Sequence, residues 1–289
     1  MTDYANPHLL VSPAGLAGEL ARVPWTVAEG PALARPVPLL LDLRPAEDFT
    51  VGHLPDAVHL DLWGLSLKDT DPAPLEAFLW MIVHVLEMRG VSGEVPIVVY
   101  DEISGMRAAR AFWFLEYFGH PDTRLLDGGF RAWSAAALPV TTAVTVPKKA
   151  EWAGGEPPAV ASRLATWRDV RDRLGRADVA LLDTRSASEY CGTTVRARRG
   201  GAVPGAIHLE WTQNLGPDGA FKPAAELRAM YAAAGVTPDK EVITYCQGGY
   251  RAAHSYLALR LLGYPRVRNY IGSWKEWGDR EDLPVERQA

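Results

Sequence analysis

The feature that most constrains this sequence is that its landmarks occur twice, in one order. Leu41-Asp42-Leu43-Arg44 returns as Leu182-Asp183-Thr184-Arg185, and Asp48-Phe49 returns as Glu189-Tyr190. The run from Gly52 through Pro55, Ala57 and His59 to Leu60 returns as Gly201, Pro204, Ala206, His208 and Leu209. Val95 to Arg107 is echoed by Glu241 to Arg251. Gly128 to Trp133 with Leu138-Pro139-Val140 is echoed by Gly272 to Trp277 with Leu283-Pro284-Val285. A repeat of this kind is one structural unit used twice. In each copy short β-branched apolar runs alternate with helical patterns, so the expected class is α/β: two domains, each a mainly parallel sheet flanked by helices on both faces.

The join falls where composition changes. Thr141 to Pro158 carries Pro147, Gly154, Gly155, Pro157 and Pro158 with Lys148-Lys149, which is linker chemistry. The expected boundaries are a first domain over 1–145, a linker over 146–160 and a second domain over 161–289. Ser12 before Pro13, and Thr166 before Trp167, read as helix N-caps.

The halves differ where chemistry is expected. In the second, Val242 to Tyr245 reads as a buried strand and Arg251 to Leu262 as a helix, joined by Cys246-Gln247-Gly248-Gly249-Tyr250-Arg251. Two glycines let this loop curl until successive amides, from Gln247 to Arg251, converge on one point. That point is also a helix N-terminus, where the dipole and unpaired N–H groups favour negative charge. Helix N-termini and nearby cations favour the thiolate over the thiol, which makes Cys246 the candidate nucleophile. The alternative, a buried structural cysteine, does not explain the glycines or Arg251. The first half has Asp101 at the equivalent place, with one more residue before Arg107. A carboxylate cannot carry a transferable sulfur atom and repels anions, so the first domain reads as inactive, a cover for its partner's cleft.

Whole-chain properties exclude several classes. A formal net charge of −5 argues against nucleic-acid or anionic-membrane partners. The N-terminal residues have no secretory pattern. The longest apolar run, Leu75 to Val91, is broken by Glu76, His84, Glu87 and Arg89, so no membrane span is expected. Two cysteines, Cys191 and Cys246, make neither a disulfide framework nor a zinc pattern, which fits a reducing cytoplasm.

Together the Asp-x-Arg strand end, Gly201-x-x-Pro204-Gly205-Ala206, the Cys246-x4-Arg251 loop and Gly272-Ser273-Trp274-x-x-Trp277 resemble the tandem-domain rhodaneses, the thiosulfate and 3-mercaptopyruvate sulfurtransferases. The resemblance runs over nearly the full length. It implies an inactive N-terminal domain and an active C-terminal one. Cys246 would take sulfane sulfur as a persulfide and pass it to cyanide or another thiophilic acceptor, a thiol or thioredoxin among them. The loop departs from both familiar types: it lacks a basic pair just after Cys246 and is not the small neutral loop of the mercaptopyruvate enzymes. Where the vertebrate-type enzymes place an arginine before the aromatic Tyr190, this chain has Glu189.

The expected reaction is therefore sulfur transfer from thiosulfate, with 3-mercaptopyruvate the alternative donor and a non-catalytic sulfur-carrier or regulatory module the remote one. Related phosphatase loops put one more residue between Cys and Arg, which sets that chemistry aside. No metal or organic cofactor is required. Around Cys246 the expected substrate-binding residues are Gln247, Gly248, Gly249, Tyr250, Arg251, Arg185 and Arg199. Arg251 has two readings, flanking the persulfide or satisfying loop carbonyls or Asp183. Arg196, Arg198 and Arg199 lie in an insertion, Cys191 to Gly201, absent from the first half. Asp183, His59 and His208 read as structural, Cys191 as incidental, and Trp211, Trp274 and Trp277 as core or cleft wall. Two domains already enclose one cleft, so a monomer is expected.

Overall fold

The computed structural model describes residues 3–21, 37–152 and 157–287. Residues 153–156 of the expected linker, with Gly154 and Gly155, lie outside them. The first half runs β1 (Leu10–Val11), α1 (Pro13–Leu20), β2 (Leu39–Asp42), α2 (Ala46–Val51), β3 (Val58–His59), α3 (Pro72–Glu87), β4 (Ile97–Tyr100), α4 (Met106–Tyr117), β5 (Thr123–Leu126) and α5 (Gly129–Ala135). The second runs β6 (Leu164–Ala165), α6 (Trp167–Arg171), β7 (Val179–Asp183), α7 (Ala187–Tyr190), β8 (Ile207–His208), α8 (Ala224–Ala233), β9 (Glu241–Tyr245), α9 (Tyr250–Leu261), β10 (Val267–Tyr270) and α10 (Ser273–Trp277).

Each half forms a five-stranded parallel sheet, ordered β1-β5-β4-β2-β3 and β6-β10-β9-β7-β8. Strands β4 and β9 are central and buried on both faces, which is why they read as unbroken apolar runs rather than alternating ones. In the first sheet the chain leaves β2 and β4 in opposite directions, towards β3 and β5, and in the second it leaves β7 and β9 likewise, towards β8 and β10. The crevice at the ends of β9 and β7 is therefore a topological switch point, the usual position of a ligand in an open α/β sheet.

Repeated residues make repeated contacts. The Tyr100 and Tyr245 hydroxyls each accept an amide, from Leu54 and Val203, both at 3.2 Å. Trp133 and Trp277 each donate an indole N–H to a proline carbonyl, of Pro139 and Pro284, both at 2.8 Å. His59 and His208 bond the backbone carbonyls of Arg44 and Arg185. Ser12 caps α1 by accepting from the Gly15 amide, and Thr166 closes a capping box with Asp169 over α6.

The halves join through α4 and α9. These two helices are buried along nearly their whole length and belong to one apolar cluster holding Phe112, Phe114, Tyr256 and Leu257. A half-buried ion pair between Glu116 and Arg260, equivalent positions on the two helices, lies at 2.8 Å. Separate clusters, around Trp133 and around Trp277, fill the outer side of each sheet. Among the described residues no helix is long and apolar enough to cross a membrane.

Candidate active site

Strand β9 delivers Cys246 to the switch point, and its side chain is 1% exposed. The Gly249 amide donates to Cys246 Sγ at 3.1 Å. Of the amides from Gln247 to Arg251, all expected to converge, Gly249's makes this bond, and it does so at the N-terminus of α9. Gly249 sits at φ +86°, where a side chain is strained, and a Cβ there would collide with Arg110 Nη1 and come within 3.1 Å of the Ile271 carbonyl. Gly249→Ala is therefore expected to lower stability, by about 1–2 kcal/mol from the left-handed backbone alone, and to slow sulfur loading of Cys246. Thermal melts with a mass-resolved loading time course check this.

The loop is pinned from behind by α10. The Trp274 and Lys275 amides donate to the Cys246 and Gln247 carbonyls at 2.8 and 2.9 Å. Ser273 Oγ accepts from the Cys246 amide at 3.2 Å and donates to the Tyr270 carbonyl at 2.7 Å. The first half repeats the backbone part, Phe130 and Arg131 donating to Asp101 and Glu102, but has Gly129 where Ser273 stands. Asp101 meanwhile occupies the sulfur's position, its Oδ2 accepting the Arg107 amide at 3.0 Å, and burial raises its carboxyl above the usual range.

Arg251 lies beside the Cys246 sulfur and takes Glu189, rather than Asp183, as its carboxylate partner. It forms a two-pronged pair with Glu189 of α7, at 2.6 and 2.9 Å. Burial alone would lower its guanidinium, but Glu189 and the Cys246 sulfur together raise it above its ordinary value. Burial likewise pushes the Glu189 carboxyl up, yet Arg251 and the Ser186 cap overcome this and hold it at about 2. The cation beside the sulfur is thus already balanced by a carboxylate.

Two residues expected at the substrate are committed elsewhere. Arg185 grips Asp183 through Nε and Nη2, at 2.9 and 2.5 Å, donates to the Gly201 carbonyl at 2.7 Å, and lies 4.4 Å over the Trp274 ring. Arg44 makes the same bonds to Asp42 and the Gly52 carbonyl in the half without a nucleophile, so this is a fold device. Arg199 spends its guanidinium on the carbonyls of Trp277, Gly278, Arg280 and Leu283. A guanidinium has five N–H donors; these bonds take Nε and Nη2 of Arg185 and leave its Nη1 outside them, and they engage all three nitrogens of Arg199. Arg199→Ala should lower stability by about 2 kcal/mol or more through its stranded carbonyls. KM for the sulfur donor should stay unchanged, as melts and steady-state kinetics would read.

The remaining loop residues face the covers of the site. Gln247 donates to the Arg196 carbonyl at 2.9 Å, and Arg196 itself is 59% exposed on its side chain. Gly248 lies under Ser66, whose Oγ a Cβ would meet at 3.0 Å. Tyr250 donates to the carbonyls of Leu62 and Leu65, at 2.5 and 3.1 Å, with Trp63 edge-on to its ring. The first half thus covers its partner's loop, as its sequence suggested, but through the uncharged segment 62–66, by backbone carbonyls and by the Trp63 and Ser66 side chains. Glu189, Ser273, Arg110 and the 62–66 segment are the residues that sequence reasoning missed as parts of the site. Comparing Gly-Gly-Phe with Gly-Ser-Trp between the halves would have marked Ser273. Cys191, half-buried, is a free thiol, as is Cys246. Among the described residues no group of three or more His, Cys, Asp or Glu is placed to hold a metal.

Comparison with known proteins agrees with this geometry. A family model described as the rhodanese-like domain matches residues 30–136 and 166–280. The thiosulfate sulfurtransferase of Pseudomonas aeruginosa is 37% identical over 300 residues, covering 99% of this chain and all of the relative. The sulfur carrier protein TtuD of Thermus thermophilus is 35% identical, covering 82% of this chain and 86% of the relative. Among solved structures, the anaerobic ergothioneine biosynthesis enzyme of Chlorobium limicola superposes with a TM-score of 0.86 at 21% identity, covering 100% of this chain and 72% of that one. At that identity the likeness speaks for the fold alone.

Proposed function

The chain belongs to the rhodanese-like family, with two such domains in tandem, and on that footing we propose that it is a thiosulfate sulfurtransferase working through a Cys246 persulfide. The observation that carries this reading is the Gly249 amide aimed at the Cys246 sulfur at the head of α9, beside Arg251. In the first half-reaction the Cys246 thiolate attacks the outer sulfur of thiosulfate. The S–S bond to the new sulfur forms as the bond to the sulfonate sulfur breaks, and sulfite departs with that electron pair. In the second, an acceptor nucleophile attacks the terminal sulfur and Cys246 leaves as thiolate; with cyanide the product is thiocyanate. No proton needs to move in either step when the thiolate is already formed, which is what a preorganised donor at a helix N-terminus favours.

The first domain, taken as 1–145, is the inactive one, because Asp101 carries no sulfur. We take 161–289 as the catalytic domain, a monomer as the working unit and the cytoplasm as its compartment. The relative named a sulfur carrier protein supports a thiol or protein acceptor, thioredoxin included, alongside cyanide. One observation favours the second donor: the Glu189–Arg251 pair cancels a positive charge that a dianion would use, which suits the monoanionic 3-mercaptopyruvate. Initial rates of thiocyanate formation with each donor at equal concentration test both readings. Faster turnover of thiosulfate is expected; turnover of 3-mercaptopyruvate alone would transfer the assignment to it, and no turnover of either would reject sulfur transfer to cyanide.

A further inference from the structure

Helices α4 and α9 are equivalent in the repeat, and their fifth residues are Arg110 and His254. Each crosses to the loop that opens the other helix. His254 donates from Nε2 to the Ser104 carbonyl at 2.8 Å, just before α4, and burial lowers its imidazole to about 4, so it stays neutral. Arg110 lies against Gly249, just before α9, close enough that a Cβ on Gly249 would strike its Nη1. The exchange is symmetric in position and asymmetric in charge: the loop with the nucleophile receives the cation.

Arg110 is 0% exposed, and its Nε, Nη1 and Nη2 have no hydrogen-bond partner among the described residues. Its surroundings are the rings of Phe114, Tyr250 and Trp113, at 4.7, 4.9 and 5.7 Å from its central carbon. Arginines are almost never fully buried without a partner, and an unpaired buried charge costs stability that ring faces recover only in part. Burial lowers its guanidinium to about 10, and the groups that attract it are Tyr250 and Cys246. Arg251, by contrast, is already paired with Glu189. We propose that Arg110, supplied by the half without a nucleophile, is a positioning residue whose unpaired charge beneath the Gly249 turn favours the anionic forms of the Cys246 sulfur. The inactive domain then contributes charge to the site as well as cover.

The proposal rests on Cys246 being the sulfur-bearing residue, and its test needs no turnover. The charged or titratable groups facing the sulfur are Arg251 and Tyr250 of α9 and Arg110 of α4; Glu189 of α7 stands behind Arg251, and Asp61 and Arg107 face Tyr250 from the first half. Alkylation of Cys246 by iodoacetamide would be followed against pH in the full-length protein by peptide mass mapping, with Cys191 in the same molecule as internal standard. In Arg110→Met, Cys246 should react about tenfold more slowly at neutral pH and recover at high pH, an upward displacement of about one pH unit in its profile. Arg110→Lys should keep the original profile, and Cys191 should not change in either. Tm of Arg110→Met should equal or exceed that of the unaltered chain, because a buried unpaired charge is gone. An unchanged Cys246 profile in Arg110→Met overturns the proposal. So does a lowered Tm or loss of fold in that variant, which would make Arg110 a packing residue. Absence of sulfur transfer with the alkylation shift intact would overturn the proposed activity and leave this inference standing.

Discussion

Cys246→Ser should form no persulfide and lose thiosulfate:cyanide activity by about a thousandfold or more, the scale on which removal of a nucleophile acts. A hydroxyl at this position keeps the Gly249 contact but is a far weaker nucleophile and cannot make a disulfide-like bond to the incoming sulfur. Only two cysteines are present, and Cys191 lies in the insertion rather than at the head of a helix, so no second thiol can substitute. Thermal stability should change little, because the serine is the same shape with one smaller atom and keeps the Gly249 amide as a partner. Residual activity above a few per cent would move the chemistry away from this loop.

The second large effect is on stability. Glu189→Ala leaves Arg251 half-buried, charged and without its carboxylate, a change that costs about 3 kcal/mol, the lower end of the range for buried pairs. The pH dependence has a definite sign. Glu189 is held at about 2 in the fold against an ordinary 4.5, so the folded state binds its proton less readily than the unfolded chain. Its contribution, on the order of 3 kcal/mol, is complete above about pH 4.5 and is lost as the pH falls towards 2. Denaturant titrations of the two proteins at neutral pH and at pH 3 should show their stabilities converging in acid. A gap that is constant with pH would mean that Glu189 acts through packing rather than charge.

How much of this was legible in the sequence differs between fold and site. The repeat was readable because duplicated landmarks are local: a strand end such as Asp183-Thr184-Arg185, or a Trp277 followed by Pro284, needs no partner to be recognised. The caps at Ser12 and Thr166 were readable for the same reason, since each bond spans three residues. The loop chemistry of Cys246, Gly249 and the head of α9 was local too. What was not legible depends on residues far apart in the chain. Arg185 reads as an anion ligand in the sequence, which cannot show its bonds to Asp183 and Gly201, nor those of Arg199 to four carbonyls. Composition cannot tell a guanidinium that points at a ligand from one that ties a fold. Glu189 read as a departure from the resembled family. Its meaning, a counter-charge for Arg251, requires knowing that α7 lies against α9. Arg110 was hidden most completely, inside an apolar helix of the half already judged inert.

Mass spectrometry after incubation with thiosulfate tests the central claim most directly. The account predicts that the intact chain gains one sulfur atom, that peptide mapping finds it on Cys246 and not on Cys191, and that cyanide removes it with release of thiocyanate. A chain that gains no sulfur, or carries it on Cys191, contradicts the account.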